Sequence, residues 1–167
     1  MSPKKPTNMI TSFPYPQTDA NPGGCSTFSF IPYQNVSQLA VNRESNTITS
    51  ILLEPGFDFF EGYATKGTLR FEEKIKENDA GIHFLTTIRG FYPKLCPQPL
   101  AVFSSMTQQH FILKLTDNNL QKRVIGTHLT PLRFTFDQAS GRNPADRNGF
   151  WFTFSAELLH QSPFLIE

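Results

Sequence analysis

Charge is scarce in this sequence. Lys, Arg, Asp and Glu make up 17% of its 167 residues, against about 25% in an ordinary soluble domain, so less of the surface than usual is guarded against association. The charges also nearly cancel, with 15 Lys and Arg against 14 Asp and Glu. That balance excludes the strongly basic footprint of a dedicated nucleic-acid binder. Cys25 and Cys96 are the two cysteines; far apart and without a CxxC partner, they read as lone thiols, with a single disulfide as the alternative. Long apolar runs are missing. The opening MSPKKPTNMITSFPYP has no apolar core of a secretory leader, and no stretch approaches the length of a membrane-spanning helix. The expectation is a cytoplasmic protein without membrane contact.

Catalytic signatures are missing as well. His83, His110, His128 and His160 stand singly, none in the HExxH or HxH spacing that holds a metal. There is no GxGxxG opening a helix, no phosphate-cradling GxxxxGK[ST] and no GxSxG elbow. Cys96, between Leu95 and Pro97, lacks the setting of an activated thiolate. Glu73 is the one acid on the apolar face of a predicted hairpin, where it is a buried acid of raised pKa or, more simply, a strand-end or partner-facing residue. Asp137, Asn143, Asp146 and Asn148 form an oxygen-rich stretch, but not at the spacing of an EF-hand loop. These readings predict a non-enzymatic protein with neither cofactor nor metal.

What is abundant is phenylalanine, 17 residues, and alternation. Residues 1–26 carry Pro3, Pro6, Pro14, Pro16, Pro22, Gly23 and Gly24 and read as an extended arm, in which Phe13 and Tyr15 each precede a proline. Residues 27–167 read as one domain. Leu69, Phe71 and Ile75 alternate with Thr68, Arg70, Glu72, Lys74 and Lys76; a turn at Asp79-Ala80-Gly81 follows, and the chain returns through Ile82, Phe84, Thr86 and Ile88. Pro97 to Gln109 is the one helix candidate. A second hairpin turns at Asp117-Asn118-Asn119, and Leu132, Phe134 and Phe136, then Phe150, Phe152 and Phe154, alternate again. Phe28 to Ile31 and Thr47 to Leu53 are further strands. The fold class is mainly β: an antiparallel β-sandwich or flattened barrel with at most one short helix. Alternating phenylalanines are then chiefly cross-strand core pairs.

Long strands with few charges at the edges of such a sandwich recruit another chain unless they are covered. The expected partner is therefore a second copy, through sheet edges and an exchanged arm. The last third of the chain carries residues that also occur in a known pattern: Asp117, Asn119, Arg123, Val124, Ile125, Gly126 and Thr127, then Pro131 and Leu132, then Asp146, Arg147, Asn148, Gly149, Phe150, Phe152 and Phe154. In this it resembles small β-rich structural proteins of tailed bacteriophages and prophages. That resemblance implies a virion part of tail-tube, tail-completion or neck type, stacking as rings with other virion proteins around a channel. DNA would be only the channel's contents, and the protein would be cytoplasmic until assembly. Phe13, Tyr15, Arg142, Asp146, Arg147, Asn148 and Trp151 are then the candidate assembly contacts. The alternative is a β-sandwich carbohydrate- or peptide-binding module that uses Trp151 or Tyr92 as a stacking platform and the Asp/Asn loop for polar contacts.

Overall fold

The structure, a computed structural model, describes residues 20–166. Its longest hairpin is formed by β5 (Arg70–Asn78) and β6 (Gly81–Pro93), with Phe71 opposite Ile88 and Ile75 opposite Phe84. The expected alternation of burial holds from Arg70 to Lys74 but fails at both ends. Thr68 and Leu69 are both buried, because Thr68 lies in the preceding turn, where its hydroxyl donates to Thr65 O at 2.6 Å and accepts from Phe91 N at 3.1 Å. At the far end the hairpin runs past the body, leaving Ile75 65% and Ile82 59% exposed.

The other strands are β1 (Cys25–Pro32), β2 (Val36–Asn42), β3 (Thr47–Leu53), β4 (Phe60–Gly62), β7 (His110–Asp117), β8 (Lys122–Ile125), β9 (Leu132–Ala139), β10 (Gly149–Leu158) and β11 (Phe164–Leu165). Among the described residues one α-helix, α1 (Pro97–Met106), begins where the sequence places it, with prolines in its first turn, and ends at Met106 instead of Gln109. Hydrogen bonding runs in the order β2-β3-β11-β8-β7-β9-β10-β6-β5, with β1 joined to β7 and β4 to β1. All pairings are antiparallel except β11 with β3, so the sheet is mixed where a purely antiparallel one was expected.

This sheet folds into layers. The rings of Phe28 on β1 and Phe152 on β10 lie 5.4 Å apart, and those of Phe111 on β7 and Phe154 on β10 lie 5.7 Å apart, although neither pair of strands is hydrogen-bonded. They meet face to face across a sandwich. A second core lies on the opposite face of β7, where Ile112 and Val124 pack with Ile31, Val36 and Ile48 under the β2–β3 hairpin. Hence Phe111, Ile112 and Leu113 are all buried. A strand covered on both faces reads as a continuous apolar run and hides its period.

The C-terminal segment closes the molecule. Glu73, on the inner face of β5, accepts from Thr86 Oγ1 at 3.0 Å and from Ser162 N at 3.1 Å and Oγ at 2.5 Å. Arg123 Nη1 donates to Ser162 O at 3.1 Å. The acid therefore faces its own chain, as the tie that fixes Ser162. Cys25 and Cys96 are both free; burial, and then the charge of Asp117, push the Cys25 thiol up, which keeps it protonated.

Candidate assembly surfaces

Both ends of the sheet are open. Among the described residues β2 pairs only with β3, β5 only with β6, and β4 only with β1. The two long edges differ in chemistry. β5 carries Arg70, Glu72, Glu73, Lys74, Lys76 and Glu77, the charged dressing that discourages indiscriminate pairing. β2, with the sequence VSQLAVN, carries no charge, and its partner β3 carries none either. The expectation of weakly charged edges therefore fits β2 and not β5.

The end of the expected arm is tied to its own domain. Asn118 Nδ2 donates to Gly23 O at 2.6 Å, Asn119 Nδ2 to Asn21 Oδ1 at 2.8 Å, and β1 begins already at Cys25. Phe13 and Tyr15 lie outside the described residues.

The loop between β9 and β10 brings the remaining candidates together, and each has an assignable task. Asp146 Oδ2 accepts from the backbone N–H groups of Arg142 at 2.7 Å and Asn143 at 2.8 Å. Asn148 Oδ1 accepts from Leu95 N at 3.1 Å and its carbonyl from Lys94 N at 2.7 Å, which pins the loop to the end of β6. Gly149 follows because its Cα passes against Tyr92 O. Asp146 and Asn148 thus commit side-chain oxygens to backbone N–H groups. Arg147 is free to lie over two rings, with Cζ 5.9 Å from the Trp151 centroid and 5.6 Å from that of Phe91.

Trp151 is the centre of a cluster that no linear pattern announces. It stands on the outer face of β10, with Phe91 at 5.0 Å and Arg89 Cζ 4.8 Å over its ring. Arg70 on β5 lies directly opposite Arg89 in register. Two arginines, one from β6 and one from the loop, therefore lie over one indole, and a third, Arg70, stands beside Arg89 on the same face. Tyr92 takes no part in this face: its ring lies against Tyr63 and Phe103, so the two proposed stacking platforms do not combine.

No known protein family, curated protein or solved structure matches this chain. Among the described residues no helix is long and apolar enough to cross a membrane.

The loop supplies a pH prediction. The N–H groups of Arg142 and then Asn143 hold the fully exposed Asp146 carboxylate below the usual aspartate range. A depressed native pKa means that the carboxylate's contribution to loop order is whole above the ordinary value of about 3.9. It is lost as pH falls through the lower native value. Amide NMR of Arg142 and Asn143 should therefore show both signals moving together in acid, below the pH at which ordinary aspartates titrate. Asp146→Ala should abolish that step and make the loop more easily proteolysed at neutral pH.

Proposed function

We propose that this chain is a non-enzymatic structural protein that assembles with copies of itself into a ring or tube, as part of a virion or phage-tail-like particle of tail-tube, tail-completion or neck type. The observation that carries this reading is the pair of open ends: among the described residues both β2 and β5 keep an unpaired ladder. An unpaired ladder that meets its complement on the next copy continues the sheet from molecule to molecule, and ends that differ chemically favour a head-to-tail join over a two-fold one. The projecting tip of the β5–β6 hairpin, with Ile75 and Ile82 uncovered, adds apolar area to the same join. Other virion proteins would be its further partners, with DNA only as channel contents, and it would stay in the cytoplasm until assembly.

Sedimentation of the full chain tests this. The wild type should form species larger than a monomer as concentration rises. Ser37→Lys with Gln38→Lys, both at exposed positions of β2, should weaken association by about tenfold or more through edge charge, and the fold should survive. A strict monomer at every concentration would end the proposal.

A further inference from the structure

Among the described residues the arginines at and beside Trp151 have no anion. None of Arg70, Arg89 and Arg147 has a carboxylate partner among the described residues. Asp137, across from Trp151 on β9, forms no ion pair with them. Arg89 also buries its Nε without a hydrogen-bond partner. Like charges directly opposite on paired strands are destabilising, and a buried N–H left unsatisfied costs more. A face that carries both in the isolated chain is suited to an arriving carboxylate.

The chain carries such a group. From Glu44 to Thr65 it has four carboxylates, Glu44, Glu54, Asp58 and Glu61, and no cation. At the centre of that stretch Glu54-Pro55-Gly56-Phe57 is a tight turn, closed by Phe57 N donating to Glu54 O at 3.2 Å, with Gly56 at φ 86°. Pro at the second position and a left-handed Gly at the third define a type II turn, which makes the tip rigid before anything binds. Glu54 N is anchored to Asn35 O at 2.9 Å. The tip presents Phe57, 49% exposed, between the carboxylates of Glu54 and Asp58.

Tip and cluster lie on opposite faces of the molecule. Phe59, at the base of the tip, packs into the core on the side of β7 that faces away from β10, with Lys114 Nζ 4.1 Å over its ring. Trp151 points out of β10 on the side away from β7, because Phe152 and Phe154 point inward. A contact between complementary patches on opposite faces cannot close a two-fold dimer; it propagates.

We propose that the Glu54–Asp58 turn of one copy docks on the Arg70, Arg89, Arg147 and Trp151 face of the next, its carboxylates between the guanidinium groups and Phe57 against the aromatic surface. This rests on the self-assembly reading and adds a second direction to it. Edges join neighbours within the sheet, and the turn joins them across its face, as a stack of rings requires.

The test is a charge swap in the full chain. Arg70→Glu with Arg147→Glu alters two exposed side chains on one face, and Glu54→Arg with Asp58→Arg alters the tip. Each variant alone should associate about tenfold or more weakly than wild type at low salt. Mixed in equal amounts they should recover, because every junction then pairs an acid tip with a basic face or the reverse. Trp151 is the only tryptophan, so its emission should shift on association in the wild type and the mixture and stay unchanged in either variant alone. Circular dichroism checks that the variants fold. If each variant associates like wild type, or the mixture does not recover, the docking is wrong; a further loss on Ser37→Lys with Gln38→Lys would show that edge assembly survives it. If oligothymidylate quenches Trp151 at concentrations where the protein does not associate, the face belongs to nucleic acid and the docking is likewise overturned. A wild type that is monomeric throughout ends both readings.

Discussion

Gly149→Ala should cost about 3 kcal/mol or more of stability, the scale of an overpacked site that cannot relax. A Cβ at this position would lie 2.1 Å from Tyr92 O, 2.8 Å from Phe91 Cζ and 3.0 Å from Pro93 Cα. The closest of these is a backbone oxygen, which no rotamer change moves aside. Nor can the strand shift: Gly149 is opposite Pro93 on one side and Ala139 on the other, and Asn148 is fastened to Lys94 and Leu95 just before it. The expected consequence is loss of the first cross-strand pairs of β10, and with it the seat of Arg147 over Trp151. For a domain of this size the drop in melting temperature should be about 6 to 12 °C. Gly23→Ala, where a Cβ meets nothing within 4 Å, is the control and should melt with the wild type. An unchanged melting temperature for Gly149→Ala would show that the loop and strand do not approach as described.

That glycine marks where sequence reading stops. The alternation of Phe150, Phe152 and Phe154 is visible in one dimension because β10 has a buried face and an outer one. The Asp79-Ala80-Gly81 turn and the proline-led helix are equally local, and both stand where the residues place them. β11 was not legible, since two residues have no period and its place is set by β3 and β8, far away in the chain. β2 was hidden by two irregularities in its register with β3, which interrupt the alternation. The site was half legible. Asp146, Arg147, Asn148 and Trp151 stand together in the sequence as they do in space. Arg70 and Arg89 belong to the same face only because the hairpin puts them opposite each other and β10 lies beside β6. Along β10, Trp151 has only Thr153, Ser155 and Glu157 for company on its face; its cations arrive from β6 and from the loop before β10. Cross-strand neighbours are what a single sequence withholds, and the one available signal was that both arginines fall on the polar side of a predicted hairpin.

The surplus of phenylalanine gives the other large effect. Phe154→Ala should destabilise the protein by about 3 to 5 kcal/mol, the range for emptying a buried aromatic site. Phe154 is 1% exposed, and its ring centroid lies 4.9 Å from Phe134, 5.7 Å from Phe111, 5.9 Å from Phe30 and 6.1 Å from both Phe28 and Phe152. Those rings come from β1, β7, β9 and β10, so the cavity would open at the point where the layers of the sandwich meet. It would not collapse easily, because each surrounding ring is held by a paired strand. Phe154→Leu, which keeps most of the volume, should cost about 1.5 kcal/mol, so a graded series separates packing from any special role of the ring. Urea denaturation should show the midpoint falling in the order wild type, Leu, Ala with an unchanged slope. This also bears on function. If the aromatics served as stacking platforms for a ligand, truncating one would reduce binding and leave stability alone. A midpoint for Phe154→Ala equal to wild type would reverse the assignment of this strand's inner face to the core, and with it the view that among the aromatics of β10 Trp151, on the outer face, is the one available for contact.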